Sequence, residues 1–351
     1  MKIKKTIISS HIGDYVLKTD LNLTHKIKAG DFGIFEALEI GRHENVQMED
    51  GRNRIIFPGD FLLATFGDRY ATAQFEGYVP DSLPEELHIL GAGGVVGVVH
   101  SKNSALKDIE PTKVRLYGYC CNAEGEVINS KFLNKKRVAF TGNKNPKVVL
   151  SIGSTMDSGK TTTAAFTARG LAVCGYRVGF IKLTGTCYTK DRELVYDCGA
   201  LSVKDFSDLG FPSTFLCSKQ EILDIYQTLL DSFIDLDIDY VVMEIADGIL
   251  QKETMFLLQD ENFMHSIDYV LFSSGDSLSA IHGLQILNDW GIKIDFLSGR
   301  MTMSPLLIKE FQQYNLTPVF TIDELMVGKA NPLLGAKDKQ ASMLNNTLIK
   351  N

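Results

Sequence analysis

The strongest constraint on the fold is a run of residues just before the middle of the chain. The apolar segment KVVLSIG (147–153) is followed by STMDSG and then by KTTTAAFTARGLAV, which has the pattern of a helix that Gly175 closes. A strand, a glycine-containing loop and a Gly-Lys-Thr that opens a helix are the context that a phosphate-binding loop needs. The full pattern has glycine six residues before the lysine, where this chain has Ser154, although Gly153 lies one place earlier. Residues 153–162, the phosphate loop, therefore predict nucleotide binding, with a coincidental turn as the alternative.

Each position of the phosphate loop has an expected role. Backbone N–H groups from Asp157 to Thr161 would surround a phosphate at the positive end of the helix. Lys160 would reach the β- and γ-phosphates as a catalytic cation, and the Thr161 hydroxyl would hold Mg²⁺. The residues that we expect to contact the nucleotide are Gly153, Ser154, Asp157, Ser158, Gly159, Lys160, Thr161 and Thr162.

The patterns on the two sides of residues 142–146 differ. Before this segment, short apolar or alternating runs are separated by Gly, Asp, Asn and Pro turns, which predicts a smaller β-rich barrel or sandwich over 1–142. From Lys147 onward, apolar strands alternate with amphipathic helices. This alternation predicts an α/β domain over 147–330, a parallel sheet with helices on both faces. The polar residues 331–351 form a predicted C-terminal tail.

Composition excludes several classes of protein. The 351 residues carry a net charge of −7, which does not favour non-specific binding to nucleic acid or to an anionic membrane. No stretch of the sequence approaches the roughly 18 consecutive apolar residues of a membrane span. The six cysteines show no zinc-site spacing, and we expect reduced thiols in a cytoplasmic protein.

The second half of the chain also resembles a known family. The stretch GSTMDSGKTTTAAFTARGLAVCGYRVGFIKLTGT is similar to the opening of dethiobiotin synthetase and its relatives, which share a wider class with molybdopterin-guanine-dinucleotide accessory GTPases and signal-recognition-particle GTPases. YVVMEIADG (240–248) resembles the strand of that family whose glutamate helps to hold Mg²⁺. The resemblance covers about 147–325 and implies a P-loop NTPase, with a homodimer as a possible assembly.

Three site residues are implied by this resemblance. Lys182 matches a lysine that lies in the active site of dethiobiotin synthetases, and an unpaired buried lysine is costly unless it has such a ligand. Glu244 matches the magnesium-binding glutamate. An aspartate that follows the loop lysine by about 35–40 residues in the family is expected at the metal as well; Asp197 is our first choice and Asp191 our second.

The sequence also departs from the family. The substrate motifs of dethiobiotin synthetases are absent, SGRMT replaces the Asn-Asp that reads the base, and no Asn-Lys-x-Asp for guanine is present. We expect ATP, with GTP as the alternative. The predicted function is Mg²⁺-dependent phosphoryl transfer to, or ligation of, a small-molecule acceptor that the β-rich domain helps to select. A nucleotide-hydrolysing switch that acts on a partner is the alternative, and a polynucleotide end kinase is the third hypothesis, against which the acidic charge argues.

Overall fold

The computed structural model describes residues 2–133, 137–142 and 145–337. The chain divides into two compact units. The first unit comprises residues 1–137 together with two later segments, 184–189 and 206–217. The second unit comprises 138–183, 190–205 and 218–351. Two pieces of the sequence that follow Lys147 therefore group with the β-rich first unit.

The first unit is built on β-strands, as the sequence predicts. Among its described residues, an eight-stranded sheet and a two-stranded hairpin are formed by β1 (Ile3–Lys5), β2 (Val16–Lys18), β3 (Phe32–Glu39), β4 (Asn45–Gln47), β5 (Asn53–Ile55), β6 (Phe61–Phe66), β7 (Phe75–Tyr78), β8 (Leu87–Gly91), β9 (Val95–Lys102) and β10 (Lys113–Cys121). Neighbouring strands pair in the order β6–β3–β10–β8–β9, and β9 pairs again with β6. The sheet thus closes on itself, which leaves fewer exposed edges.

Alternation along these strands gives the first unit two cores. Phe35, Phe66 and Tyr119 belong to one buried cluster, whereas Phe32 and Ile34 belong to a second. Successive side chains of a strand point to opposite faces. The neighbouring cysteines of β10 follow this rule: Cys121 lies in the first cluster and Cys120 in the second, and both are free thiols.

The second unit contains a six-stranded sheet. Its strands are β11 (Lys147–Gly153), β12 (Val178–Lys182), β13 (Ser202–Asp205), β14 (Tyr240–Glu244), β15 (Tyr269–Ser273) and β16 (Phe296–Ser298). They lie in the order β13–β12–β14–β11–β15–β16, and every pairing is parallel. The predicted α/β fold class is confirmed. Because all six strands run in one direction, their carboxyl ends share one edge of the sheet, where such sheets bind ligands.

Helices cover both faces of this sheet. They are α1 (Lys160–Val173), α2 (Lys190–Asp197), α3 (Lys219–Asp231), α4 (Lys252–Leu258), α5 (Glu261–His265), α6 (Ser277–Asp289), α7 (Pro305–Gln312) and α8 (Ile322–Met326). Alanines of α1 pack with Phe180 on one face. On the opposite face, Gly179 lies against the ring of Phe233, just after α3, and Gly283 of α6 lies against Phe272.

Two other predictions concern the ends of the second unit. Of the predicted tail 331–351, residues 331–337 are described: Asn331 is buried and donates from Nδ2 to the carbonyl of Gly170, while residues 338–351 lie outside the described part of the chain. Of the predicted linker 142–146, residues 143 and 144 also lie outside it. Within the described ranges, no helix combines the length and the apolar character that crossing a membrane requires.

Candidate functional site

The phosphate loop begins at Gly153, the last residue of β11, and ends in the first turn of α1. Asp157 and Gly159 both adopt left-handed backbone conformations, with φ of 61° and 103°. Aspartate and glycine tolerate this region better than other residues do. A left-handed residue between right-handed ones turns successive backbone N–H groups toward one side, which makes a concavity for an anion. The start of α1 adds its positive end to the same place.

The positions of Gly153 and Ser154 explain the unusual start of the loop. A Cβ added at Gly153 would lie 2.2 Å from Ser158 Oγ and 2.7 Å from Lys160 Cγ, so the loop and the lysine fold back over this residue. Ser154 has no positive φ, and its backbone N–H donates to the carbonyl of Ser273 at 2.9 Å. The glycine that this loop needs is therefore Gly153, because of close packing, and Ser154 needs no glycine.

Two glycines from other strand ends also pack against the loop. A Cβ at Gly248, which follows β14, would lie 2.5 Å from the Ser154 carbonyl oxygen. A Cβ at Gly299, which follows β16, would lie 2.4 Å from the Ser158 carbonyl oxygen. Arg300 then donates its backbone N–H to Ser158 at 3.0 Å. Sequence reasoning missed these contacts; the signal was a glycine soon after the end of two parallel strands.

Lys160 is the first residue of α1, and its side chain folds back over the phosphate loop. Its side chain is largely buried, with 5% exposed, and Nζ donates to the Thr155 carbonyl at 2.8 Å. Burial lowers the pKa of Lys160, although the carboxylates of Glu244, Asp247 and Asp157 oppose this effect. An ammonium group held at this loop can donate charge-assisted hydrogen bonds to the oxygens of a phosphate.

Thr161 and Glu244 form a set of oxygen ligands beside the loop. Thr161 Oγ1 donates to Glu244 Oε1 at 2.9 Å. Glu244 is 2% exposed, and its second oxygen, Oε2, has no hydrogen-bond partner among the described residues. Burial raises the pKa of Glu244, although Lys182 lowers it. Hydroxyl and carboxylate oxygens are the ligands that Mg²⁺ takes, and it commonly uses one or two carboxylates plus phosphate oxygens. The residues present therefore fit this ion.

Lys182, which is buried, forms an ion pair with the half-buried Asp191. Lys182 ends β12 and lies in register with Glu244 of β14, while Asp191 lies in the first turn of α2. Burial disfavours the charged form of Lys182, but Asp191 and then Glu244 outweigh burial and hold its pKa above its ordinary value. Arg192, the next residue of α2, pairs with Asp205 of β13, Nη1 to Oδ2, at 3.2 Å. These pairs fix the start of α2 against two strand ends.

The structure brings together most of the residues that the sequence singles out. Lys160, Lys182, Thr161 and Glu244 interact directly or through one shared neighbour. Asp197, the first choice for the second acidic ligand, is not among them: it is exposed at the end of α2. Six residues rotate a helix by about 600°, so Asp191 and Asp197 point to different faces of α2. Asp191 is the acid of this helix that reaches Lys182.

Comparisons with known proteins give only distant similarities. No family model and no curated protein matches the chain. Among solved structures, the signal recognition particle receptor FtsY from Elizabethkingia anophelis in complex with GDP has 16% identity and a TM-score of 0.34, covering 57% of this chain and 57% of that one. The chain thus spans less than two thirds of that receptor. The cell division protein FtsY from Thermotoga maritima has 14% identity and a TM-score of 0.35, covering 55% of this chain and 72% of that one.

A nucleotide-binding protein from Archaeoglobus fulgidus in complex with ADP has 9% identity and a TM-score of 0.31, covering 55% of this chain and 90% of that one. Similarities at this level carry no argument about the fold or the activity. The parallel sheet and the loop between β11 and α1 carry the assignment instead: the second unit has the fold of a P-loop NTPase.

Proposed function

We propose that this protein is a Mg²⁺-dependent nucleoside triphosphatase in which hydrolysis operates a switch. The observation that carries the proposal is the ion pair between Lys182 and Asp191. These two residues belong to the second unit, whereas six of the eight residues between them, Thr184–Thr189, group with the first unit. Because Lys182 precedes this segment and Asp191 follows it, breaking or forming the ion pair would affect both ends of the segment.

The residues of the site have distinct tasks in this proposal. The backbone of the phosphate loop and Lys160 bind the phosphates and hold the γ-phosphate in line. Thr161 and Glu244 would hold Mg²⁺, which when bound supplies positive charge that stabilises the phosphate oxygens. Lys182, buried beside Glu244, adds a fixed positive charge at the same edge of the sheet.

The switch follows from competition for Lys182. A γ-phosphate beside Lys182 would compete with Asp191 for the ammonium group, because both are anions that accept charge-assisted hydrogen bonds. Weakening this pair frees the first turn of α2 and the end of the segment Thr184–Thr189. Hydrolysis and loss of the γ-phosphate would restore the pair. The protein would then be less ordered at these residues with a triphosphate bound than with a diphosphate bound. Switches that respond to a γ-phosphate work through such a change in the order of a segment.

Transfer of the γ-phosphate to a small-molecule acceptor is the second candidate. It is favoured by the position of Lys182, a buried cation at the sheet edge that could bind both the acceptor and the transferring phosphate. The experiment that separates the two candidates is carried out with both ATP and GTP, so it also identifies the nucleotide. A polynucleotide end kinase is a weaker proposal because the net charge is −7.

Hydrogen exchange of the full chain tests the switch against the transferase. We expect Mg²⁺-dependent phosphate release without any acceptor. We also expect faster exchange over 183–197 with a non-hydrolysable triphosphate than with the diphosphate, while α3 exchanges equally in both states. Equal exchange over 183–197, or phosphate release that requires a small-molecule acceptor, would refute the switch.

A further inference from the structure

The first unit contains a cavity with no role in the proposed chemistry. Its volume is about 290 Å³, near the lower end of the range for small-molecule sites. All of its lining residues belong to the first unit. They are Arg42, His43, Glu44, Asn45, Arg69, Gln74, Gly91, Ala92, Thr186, Cys187 and Tyr188.

Two arginines give this cavity a positive character. Arg69 is a buried side chain, 8% exposed; Nη2 donates to Gln74 Oε1 at 2.8 Å, and Nη1 lies 3.4 Å from His43 Nε2. Arg42 also lines the cavity and is exposed. The lining carries one carboxylate, that of Glu44, so the formal charge from two arginines and one glutamate is positive. Arginine is the side chain best shaped to bind carboxylate and phosphate groups.

His43 lines the cavity next to Arg69. Burial, followed by the charges of Arg69 and Arg42, lowers its pKa to about 3. Its imidazole is therefore neutral at physiological pH. An anion beside the arginines would offset their charge and change the environment of this ring.

One wall of the cavity comes from the segment Thr184–Thr189. Gln47 and Thr189 form two reciprocal hydrogen bonds, from Gln47 Nε2 to Thr189 Oγ1 at 2.7 Å and from Thr189 N–H to Gln47 Oε1 at 3.0 Å. Asn53 Nδ2 donates to the Tyr188 hydroxyl at 2.9 Å, and Cys187 N–H donates to the Pro212 carbonyl at 2.9 Å. The wall is thus held in place within the first unit.

We propose that this cavity binds a small organic anion through a carboxylate or phosphate group that accepts hydrogen bonds from Arg69 and Arg42. The anion also contacts Thr186–Tyr188. That segment continues to Lys182 on one side and to Asp191 on the other, so the bound anion regulates nucleotide hydrolysis. This regulatory part rests on the proposed function, whereas the binding part does not.

Nuclear magnetic resonance of the full chain with ¹³C-labelled histidine tests the binding part. Succinate and inorganic phosphate are the probes, which separate a carboxylate source from a phosphate source, and a His43→Gln variant assigns the resonance. We expect at least one probe to shift the His43 signal saturably. Arg42→Gln should weaken this binding by about tenfold, because it removes a charge-assisted bond. Arg42 is exposed, so this variant avoids the folding risk of replacing Arg69.

Arg115→Gln is the matched control, since Arg115 is an exposed arginine of the first unit, outside the cavity, that pairs with Glu36. It should bind the probes like the wild type. If neither probe shifts the His43 signal, or if the two arginine variants bind equally, the anion site is refuted.

Hydrolysis rates test the regulatory part separately. A saturating probe should change the rate of nucleotide hydrolysis severalfold in the wild type, and the change should require about tenfold more probe in Arg42→Gln. Saturable binding with an unchanged hydrolysis rate would overturn the regulation while the site stands. If no hydrolysis occurs at all, the proposed function fails, and the histidine titration still decides the site.

Discussion

The two units of this protein assemble their candidate sites in different ways. In the second unit, the groups that would handle phosphate come from the ends of β11, β12 and β14, which parallel pairing places at one edge. In the first unit, the cavity draws its lining from separate segments, 42–45, 69–74, 91–92 and 186–188. A parallel sheet concentrates strand ends by topology alone. A closed, mostly antiparallel sheet has no such rule, so its site depends on packing.

The electrostatics of the two units also differ. Lys182 is buried, and the pKa of its ammonium group is nevertheless raised because the half-buried Asp191 and then Glu244 outweigh burial. Burial, and then the charges of Arg69 and Arg42, lower the pKa of His43 to about 3. Burial disfavours the charged form of both groups. At Lys182 the neighbouring carboxylates overcome burial and keep the lysine charged. At His43 the arginines act in the same direction as burial, and the histidine is neutral.

Replacing one glycine in each unit by alanine should give the largest difference in nucleotide affinity. Gly153→Ala places a methyl group 2.2 Å from Ser158 Oγ and should weaken nucleotide binding by about 100-fold, because loop and lysine must move. Gly13→Ala has nothing within 4 Å of the new Cβ and should bind normally. Calorimetric titration with Mg²⁺ and ATP or GTP measures both. Equal affinities would show that Gly153 is not required by packing.

The next effect concerns the two acids of α2. Asp191→Asn removes the partner of Lys182 and should change the hydrolysis rate by about tenfold or more, since a buried charge is left unpaired. Asp197→Asn alters an exposed residue of the same helix and should leave the rate within about twofold. Steady-state phosphate release separates them. A larger effect at Asp197 would support the original choice from the sequence.

Glu244→Gln should stabilise the nucleotide-free protein while it impairs metal binding. Burial raises the pKa of Glu244 above 4.5, so the folded state binds its proton more tightly than the unfolded state does. Stability from this group is full below 4.5 and is lost as pH rises through the raised value. The variant should therefore melt about 3 °C higher at pH 7 and lose Mg²⁺-dependent nucleotide binding. A lower melting temperature than that of the wild type would show that the buried carboxylate does not destabilise the folded protein at pH 7.

His43 should affect stability with the opposite pH dependence. Its folded pKa of about 3 lies below the ordinary 6.5, so its contribution is present above 6.5 and is lost as pH falls toward 3. His43→Gln should lose less stability between pH 7 and pH 4 than the wild type does. The exposed His11→Gln serves as the control. Urea midpoints at pH 7 and pH 4 measure how much stability each protein loses on acidification. Equal losses in the wild type, His43→Gln and His11→Gln would show that protonation of His43 does not affect stability.

The sequence predicts the site best where the functional residues and the elements that position them are adjacent in the chain. The phosphate loop and the parallel sheet are visible because a strand, a Gly-Lys-Thr and a helix follow one another in the chain. The glycines 248 and 299 were missed because their contacts depend on how distant loops pack. The expected spacing after Lys160 favours Asp197 over Asp191, and only the positions of the two residues on α2 show that Asp191 is the one that reaches Lys182. The cavity at Arg69 has no local motif, so the sequence contains no signal for it.

The central claim is that the loop between β11 and α1 binds the phosphates of a nucleoside triphosphate through Lys160. Calorimetric titration of the wild type and of Lys160→Ala with ATP and with GTP, each with Mg²⁺, tests it directly. We expect one nucleotide to bind the wild type and Lys160→Ala to lose about 100-fold or more in affinity, roughly 2.7 kcal/mol. Equal affinity of the two proteins for both nucleotides would contradict the account.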